Sequence, residues 1–207
     1  IVGLSGGQGS GKTTISSIIS IILRKYFKLN VFVISIDDFY KTRKERFFLS
    51  KKVHPLLMTR GVPGTHDVNI MLDFFRRAKR KKFKSLKLPK FNKAIDDRYN
   101  GKFWHCLKKK PDIIIFEGWC VGATAEKNTT LKKSINSLEK FRDKKLIWRR
   151  YVNRQLQLKY KQLYDQLNCL IYIKSSNFNL LRNWRIKQES KLRLKNKRSY
   201  SNKIMSN

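Results

Sequence analysis

Four short apolar stretches rich in β-branched residues recur along the chain, separated by helical or loop material. They are Ile1–Leu4, Val31–Ile36, Ile113–Phe116 and Leu170–Ile173. Continuous apolar runs of this length are typical of strands that are buried on both faces. Strands that alternate with helices favour a parallel sheet. The pattern therefore predicts an α/β fold with a mostly parallel sheet and helices on both of its faces.

Helical periodicity marks the segments between these strands. An apolar helical run covers Ile15–Leu23, and Val68–Lys79 has apolar side chains at helical spacing, with Asp67 placed to cap its first turn. A third helix is predicted over Tyr151–Leu167. A chain of 207 residues with 41% hydrophobic content can bury one substantial core, so we expect a single domain over residues 1–207.

Two segments are candidates for insertions in this domain. Residues 126–150 are polar and form a candidate insert, and residues 176–195 are predicted to form a basic helix that acts as a lid. We also expect the chain to be truncated at its start, because it begins without methionine inside its first predicted strand.

Polar or glycine residues follow each predicted strand at once. Gly6–Thr13 follows the first strand, Asp37–Asp38 the second, Glu117–Gly118 the third and Lys174–Ser176 the fourth. Ligands of open parallel sheets bind beyond the carboxyl ends of the strands. We therefore expect the functional groups of this chain to meet at that edge of the sheet.

The segment Gly6–Thr13 matches the phosphate-binding pattern G-x-x-x-x-G-K-[ST], between a predicted strand and a predicted helix. In such a P-loop, backbone N–H groups and the helix N-terminus attract phosphate oxygens. Lys12 is expected to reach the β- and γ-phosphates of a nucleotide, and Thr13 to place its hydroxyl on Mg²⁺. A glycine-rich turn that only joins two elements is the alternative, and the surrounding context favours the P-loop NTPase fold. The residues assigned to the nucleotide are Gly6, Gly7, Gln8, Gly9, Ser10, Gly11, Lys12, Thr13 and Thr14.

Two carboxylates end the second and third predicted strands, where they can face the phosphates. Asp37 is the candidate catalytic group, because a kinase needs a residue there to orient the acceptor hydroxyl and take its proton. The adjacent Asp38 is assigned to capping the next helix. Glu117 closes an apolar strand, where an unpaired carboxylate is costly without a cation. It is therefore the candidate magnesium ligand, together with Thr13.

Two polar loops supply candidates for the acceptor site. The loop Arg60–Asp67 combines a guanidinium, two glycines and a proline-fixed turn. This suits an anionic substrate, and equally a plain loop with a helix cap. Lys90–Lys93 and Asp96–Arg98 form a second, ambiguous loop. Among the late arginines, Arg185 is our candidate for neutralising charge on the transferring phosphoryl group. The candidate substrate contacts are Asp38, Tyr40, Arg60, His66, Asp67, Asp97 and Arg98.

The net charge is +34, from 48 Lys and Arg against 14 Asp and Glu. Basic surfaces favour nucleic acids, because cation contacts to phosphates release counterions. Here the lysines are scattered along the chain, and no DNA- or RNA-binding pattern accompanies them. A lysine-biased solvated surface is therefore favoured, and non-specific polyanion binding stays open.

The remaining composition excludes several classes of protein. No run approaches the roughly 18 apolar residues of a membrane span. Cys106, Cys120 and Cys169 are odd in number and widely separated, which argues against a disulfide framework or a zinc site. A reducing cytoplasm is the expected location.

Five motifs together resemble the D-glycerate 3-kinase-like family of P-loop kinases, which is related to phosphoribulokinase, uridine kinase and pantothenate kinase. They are Gly6–Thr13, Ser35–Tyr40, Arg60–Asp67, Leu88–Phe91 with Asp97–Arg98, and Phe116–Trp119. Trp148–Asn153 and Trp184–Glu189 extend the likeness over nearly the whole chain.

The resemblance implies ATP-dependent phosphorylation of a small hydroxylated molecule and leaves the acceptor open; our leading hypothesis is glycerate or a similar small acid. It also implies truncation at the end of the chain, because family members usually continue into another helix where this chain ends at Met205–Asn207. It implies that Asp37 matches the family's presumed base, and that Arg60, His66 and Asp67 match its substrate loop. A nucleoside or pantothenate-type kinase remains an alternative within the same architecture. A basic, polyanion-binding protein of the same fold is an alternative from a different functional class.

Overall fold

The computed structural model of the chain describes residues 1–175, 177, 179, 180, 183, 184, 186, 187 and 190. Within them the strands are β1 (Val2–Gly6), β2 (Val31–Ser35), β3 (Leu86–Leu88), β4 (Phe91–Asn92), β5 (Asp97–Arg98), β6 (His105–Leu107), β7 (Ile113–Gly118) and β8 (Cys169–Ile173). The α-helices are α1 (Lys12–Phe27), α2 (Arg43–Lys52), α3 (Val68–Ala78), α4 (Ser137–Arg142), α5 (Ile147–Gln155) and α6 (Lys161–Tyr164). The predicted α/β class is confirmed.

The main sheet of the described chain has the strand order β2-β7-β1-β8, and all neighbouring strands run parallel. β7 lies between β1 and β2, so Glu117 pairs with Leu4 on one side and with Ser35 on the other. The four predicted apolar stretches correspond to these four strands. The carboxyl ends of β1, β2 and β7 therefore lie side by side, where the site was expected.

Each face of this sheet carries its own apolar layer. On the face covered by α1, Leu4, Val31 and Ile115 are buried. On the opposite face, which packs against α3 and α6, Phe75 meets Phe116 edge to face with ring centroids 5.3 Å apart. Burial of apolar side chains at about 25 cal/mol per Å² is the main stabilising term for such a sheet.

The first two predicted helices are present with shifted limits. α1 extends beyond the predicted Ile15–Leu23 at both ends, because its first turn belongs to the polar P-loop motif and its last turn carries basic residues. α3 starts as predicted, with Asp67 as its N-cap. The Asp67 side chain accepts a hydrogen bond from the backbone N–H of Ile70 at 3.4 Å.

The third predicted helix, Tyr151–Leu167, has wrong limits. It begins earlier, at Ile147, continues through a π-helical turn at Leu156–Tyr160, and ends at Tyr164. The start was missed because the preceding residue, Leu146, has a left-handed φ of 60° and gives no capping signal in the sequence. None of the helices in the described part of the chain combines the length and apolar character that crossing a bilayer requires.

The candidate insert at 126–150 is anchored by a buried ion-pair cluster. The Arg149 guanidinium lies 3.1 Å from Asp143 Oδ2 and 3.3 Å from Glu139 Oε2. The second candidate, 176–195, falls largely outside the described residues. Within it, Trp184 and Lys187 lie in helical turns, and its action as a lid stays a prediction.

Two short antiparallel pairs fold the segment between α3 and β7. β3 pairs with β6, and β4 pairs with β5. In the turn between β4 and β5, Asp96 has a left-handed φ of 55°. The hydrophobic pattern did not predict these strands, because each is only two or three residues long.

The close approach of Gly118 to Ile36 leads to a first prediction. A Cβ at position 118 would overlap Ile36 Cγ2, so Gly118→Ala forces the end of β7 away from the turn that follows β2. We expect a loss of about 1–3 kcal/mol in the free energy of unfolding, measured by urea denaturation. The matched control is Gly101→Ala, whose Cβ would meet nothing within 4 Å. Equal stability of the two variants would contradict the prediction.

Candidate active site

The loop between β1 and α1 has the backbone of a phosphate cradle. Gly9 and Gly11 have left-handed φ angles of 82° and 85°, which residues with a Cβ rarely adopt. The Lys12 ammonium donates hydrogen bonds to the carbonyls of Gly6 and Gly7 at 2.9 and 2.8 Å. Burial lowers the pKa of Lys12, although attraction to acidic neighbours opposes this. The Lys12 side chain thus folds back over the P-loop, where the phosphates of a nucleotide would bind.

Glu117 and Thr13 come together beside this loop. The Thr13 hydroxyl donates to Glu117 Oε1 at 3.2 Å, and Glu117 is only 7% exposed. Burial raises the pKa of Glu117, against the attraction of Lys12. Carboxylate and hydroxyl oxygens are suitable Mg²⁺ ligands, with phosphate oxygens and water completing the shell. Ser10 Oγ is also buried without a hydrogen-bond partner among the described residues, which fits a loop built around a ligand.

Asp37 lies just beyond the end of β2. Its backbone N–H donates to Ser35 Oγ at 3.3 Å, and its carboxylate accepts a hydrogen bond from Lys93 Nζ at 2.6 Å. Burial alone would raise the pKa of Asp37, but the charge and the hydrogen bond of Lys93 hold that pKa below its usual range. The carboxylate is therefore ionised at neutral pH and able to accept a proton.

These groups line one cleft of about 1030 Å³. The P-loop contributes Gln8–Thr14, and Asp37 and Glu117 face the same space from the ends of β2 and β7. Tyr40 and Arg60 also line the cleft, so two candidate substrate contacts lie beside the candidate base. The structure thus brings the phosphate loop and both candidate carboxylates together.

Several candidate substrate residues do not line the cleft within the described chain: Asp38, His66, Asp67, Asp97 and Arg98. Arg98 donates from Nε to the carbonyl of Tyr40 at 2.7 Å and from its terminal nitrogen to Asp67 at 3.2 Å. Asp97 accepts a hydrogen bond from the backbone N–H of Arg43 at 3.0 Å. These contacts tie together the loops around the cleft, and direct contact with substrate stays a prediction for these residues.

Asp38 does not cap the next helix, so that expectation is wrong. Its Oδ1 accepts a hydrogen bond from the backbone N–H of Phe91 at 3.2 Å and so ties the turn after β2 to β4. The cap of α2 is Thr42, which exchanges hydrogen bonds with Glu45 in a capping box. The pattern T-x-x-E in the sequence carries this signal.

His66 is fully enclosed behind Tyr40. The two rings stack with centroids 4.3 Å apart, and His66 Nδ1 lies 2.6 Å from the hydroxyl of Tyr160. Because that hydroxyl accepts the backbone N–H of Gly64 at 2.9 Å, its own hydrogen is free to be donated to His66. Burial lowers the pKa of His66 to about 3, so the ring is neutral. In this position His66 supports the aromatic wall of the cleft.

Arg60 reaches the cleft as part of a chain of alternating charges. Its guanidinium contacts the carboxylate of Asp96, and the guanidinium of Arg46 lies 2.9 Å from the other oxygen of that carboxylate. Arg46 is fully buried and also donates to three backbone carbonyls. Both guanidinium groups lie within 6 Å of the Phe91 ring, at 5.9 and 5.4 Å. This row of alternating charges fixes the direction of the Arg60 side chain, which is 30% exposed.

Comparison with known proteins places this site in a family. No protein-family model matches the chain. The uncharacterised kinase mug58 of Schizosaccharomyces pombe is 30% identical over 201 residues, covering 93% of this chain and 71% of that protein. The chain belongs to the D-glycerate 3-kinase-like family of P-loop kinases.

Two further members illustrate the family. The chloroplastic D-glycerate 3-kinase of Arabidopsis thaliana is 26% identical over 201 residues, which cover 93% of this kinase and 41% of the plant protein. The solved structure of D-glycerate 3-kinase from Cryptococcus neoformans has a TM-score of 0.78 and 27% identity, covering 94% of this kinase and 70% of that chain. The resemblance inferred from the motifs is confirmed.

Some groups that line the cleft of the kinase were not assigned from its sequence. Lys93 pairs with Asp37 across a long sequence separation, and Trp119 donates from Nε1 to the carbonyl of Gly61 at 3.2 Å. Trp184 and Lys187, which belong to the segment predicted as a lid, also line the cleft. Arg185 lies outside the described residues, so its assigned role stays a prediction.

The buried position of Arg46 predicts a large effect on stability. Arg46→Met removes the buried guanidinium that donates to three backbone carbonyls and pairs with Asp96, so the carbonyls lose this donor and Asp96 keeps only its contact with Arg60 among the described residues. We expect a loss of about 2–3 kcal/mol in the free energy of unfolding, measured by urea denaturation. Lys44→Met in the same helix is the matched control, because Lys44 is exposed. A loss no larger than that of the control would show that the contacts of Arg46 do not contribute measurably to the free energy of unfolding.

The depressed pKa of His66 predicts a specific dependence of stability on pH. The unfolded chain binds a proton at His66 near pH 6.5, whereas the folded chain binds it only near pH 3. Stability from the neutral ring is therefore present above pH 6.5 and is lost as the pH falls from about 6.5 towards 3. Between about pH 7.5 and about pH 5, the chain with His66 should lose about 2 kcal/mol more than His66→Gln, measured by urea denaturation. If the free energy of unfolding changed with pH in the same way in both proteins, the prediction would be refuted.

Proposed function

We propose that this kinase transfers the γ-phosphoryl group of Mg·ATP to a hydroxyl of D-glycerate. The observation that carries the proposal is the common cleft in which the P-loop, Glu117 and Asp37 face one another. Phosphoryl transfer depends on holding the donor and acceptor in line and on offsetting the negative charge of the transferring group. This cleft offers both functions within one connected space.

The phosphate side of the reaction uses the P-loop. Backbone N–H groups of Gln8–Thr14 would bind the β- and γ-phosphates, since they belong to the loop before α1 and to the first turn of that helix. Lys12 would exchange its bonds to two loop carbonyls for bonds to phosphate oxygens. Thr13 and Glu117 would hold Mg²⁺, which when bound supplies positive charge to the phosphate oxygens.

The acceptor side of the reaction uses Asp37. The hydroxyl oxygen of the acceptor forms a bond to the γ-phosphorus as the bond from that phosphorus to the β–γ bridging oxygen breaks. ADP leaves with the bridging oxygen, and the hydroxyl proton passes to the Asp37 carboxylate. The lowered pKa of Asp37 keeps this carboxylate ionised, so it can orient the hydroxyl; the hydroxyl proton passes to it as the new bond to phosphorus makes that proton more acidic.

Glycerate is the proposed acceptor for two reasons. Proteins named D-glycerate 3-kinase occur among both the sequence relatives and the structural neighbours. The partly exposed guanidinium of Arg60 also gives the acceptor side of the cleft a cation that suits a substrate carboxylate. We further propose a reducing cytoplasm as its location, since Cys106, Cys120 and Cys169 are free thiols.

The test combines an acceptor screen with one substitution. Purified protein is given Mg·ATP with glycerate, uridine or pantothenate, and ADP formation and the phosphorylated product are measured. Transfer to glycerate supports the proposal, whereas transfer only to uridine or pantothenate would replace the acceptor. Tight, salt-sensitive RNA binding without transfer to any acceptor would favour polyanion binding as the function.

Asp37→Asn tests the base directly. We expect kcat to fall by about 10²–10⁴, because the amide cannot accept the hydroxyl proton, while ATP binding measured by titration stays within about twofold. The control Asp165→Asn changes an exposed aspartate whose ion-pair partner among the described residues is Lys161, one turn earlier. Unchanged turnover in Asp37→Asn would remove Asp37 from the mechanism.

A further inference from the structure

Lys93 touches the candidate base but has no role in the mechanism above. Its Nζ lies 2.6 Å from Asp37 Oδ2, and its side chain is 62% exposed. It projects into the cleft from the turn between β4 and β5, whereas Asp37 lies in the turn after β2. The ion pair therefore links two separate elements across the acceptor side of the site.

The charges around Asp37 explain why such a partner is needed. Groups whose charge acts on this carboxylate come from every element packed around it: Lys12 in α1, Asp38 and Tyr40 beside it, His66 before α3, Lys93, Glu117 in β7, and Cys120 after β7. His66 is neutral, and Lys12 donates to P-loop carbonyls. Lys93 is thus the cation in direct contact with Asp37 among the described residues.

Nucleotide binding would increase the demand for this cation. A polyphosphate places several negative charges near Glu117 and Asp37, and Lys12 then turns to the phosphates. Neighbouring anions repel, and the repulsion is stronger in a partly enclosed cleft than in bulk water. Without a counter-ion, Asp37 would swing away from the phosphates or take up a proton, and in either state it could not serve the acceptor. Arg60 is already in contact with Asp96.

We propose that Lys93 is a positioning residue that acts through Asp37. It binds Asp37 Oδ2 and holds the carboxylate in the cleft, where it would face the acceptor hydroxyl. This inference rests on the proposed function, because it assigns Lys93 a task within the same reaction. It adds a requirement on the acceptor side that the P-loop pattern does not contain.

The first experiment measures kcat and KM in the full chain for Lys93→Met, Lys93→Arg and the control Lys102→Met. Lys102 is an exposed lysine of the same segment that lies over the Phe103 ring instead of the cleft. We expect Lys93→Met to lower kcat about 10- to 100-fold with the KM for ATP within about twofold, and Lys93→Arg to recover at least about a third of the turnover. Lys102→Met should match the unmodified chain. Equal kcat in Lys93→Met, or no recovery with arginine, would overturn the proposal.

The second experiment places Lys93→Met in the Asp37→Asn background. If Lys93 acts through Asp37, the double variant should turn over within about threefold of Asp37→Asn alone, measured with radiolabelled ATP over long incubations. Losses that multiply would mean that Lys93 acts on the phosphates or on the acceptor, and would overturn the proposal. If Asp37→Asn lies below detection, the arginine recovery above decides the question.

A third measurement does not require turnover. A carbodiimide joins a carboxylate to an amine that contacts it, so the unmodified chain should yield a peptide cross-linked between Asp37 and Lys93, identified by mass spectrometry. The cross-link should be absent from Asp37→Asn. Absence from the unmodified chain would overturn the proposal even if glycerate is phosphorylated. If no acceptor is phosphorylated but the cross-link forms, the ion pair is confirmed and the proposed function is wrong. The positioning role of Lys93 is then wrong as well, because it rests on that function.

Discussion

The pairing of β7 with a parallel strand on each side is the constraint on which the site depends. Glu117 is paired with Leu4 in β1 and with Ser35 in β2, so one register sets the position of the candidate magnesium ligand relative to both the P-loop and the turn that carries Asp37. A slip of one residue would turn Glu117 to the other face of the sheet, away from Thr13. Apolar layers on both faces oppose such a slip, because they would lose their buried side chains.

Features that are encoded by neighbouring residues could be predicted from the sequence, whereas contacts between residues distant in the sequence could not. The central strands are apolar on both faces, so each appears as an unbroken run, and the P-loop is a contiguous pattern. The strands β3 to β6 give no such run. Lys93 was missed because its partner, Asp37, is distant in the sequence and the two meet only through the turn between β4 and β5. Asp38 was misassigned although Thr42 and Glu45 carry a capping pattern nearby.

The strongly basic composition gives its few acidic side chains particular weight. Most acidic side chains in the described part of the chain accept a specific hydrogen bond or ion pair, as Asp143 does from Arg149 and Asp96 from Arg46. Glu117 and Asp37 also accept hydrogen bonds, from Thr13 and Lys93, and both face the cleft. Because so many cations surround them, the position of each carboxylate is set by which cation it touches at short range, while the excess lysines contribute a diffuse and salt-screened field.

The two walls of the cleft are built on different scaffolds. The wall that faces the phosphates belongs to the parallel sheet and α1, whereas the wall that presents Arg60 and Lys93 is held by Arg46, Arg98 and short turns. Substitutions in the second scaffold can therefore alter which acceptor molecule fits the cleft without disturbing the sheet. An architecture divided in this way lets descendants of one ancestral phosphotransferase diversify in acceptor choice while inheriting the same nucleotide chemistry.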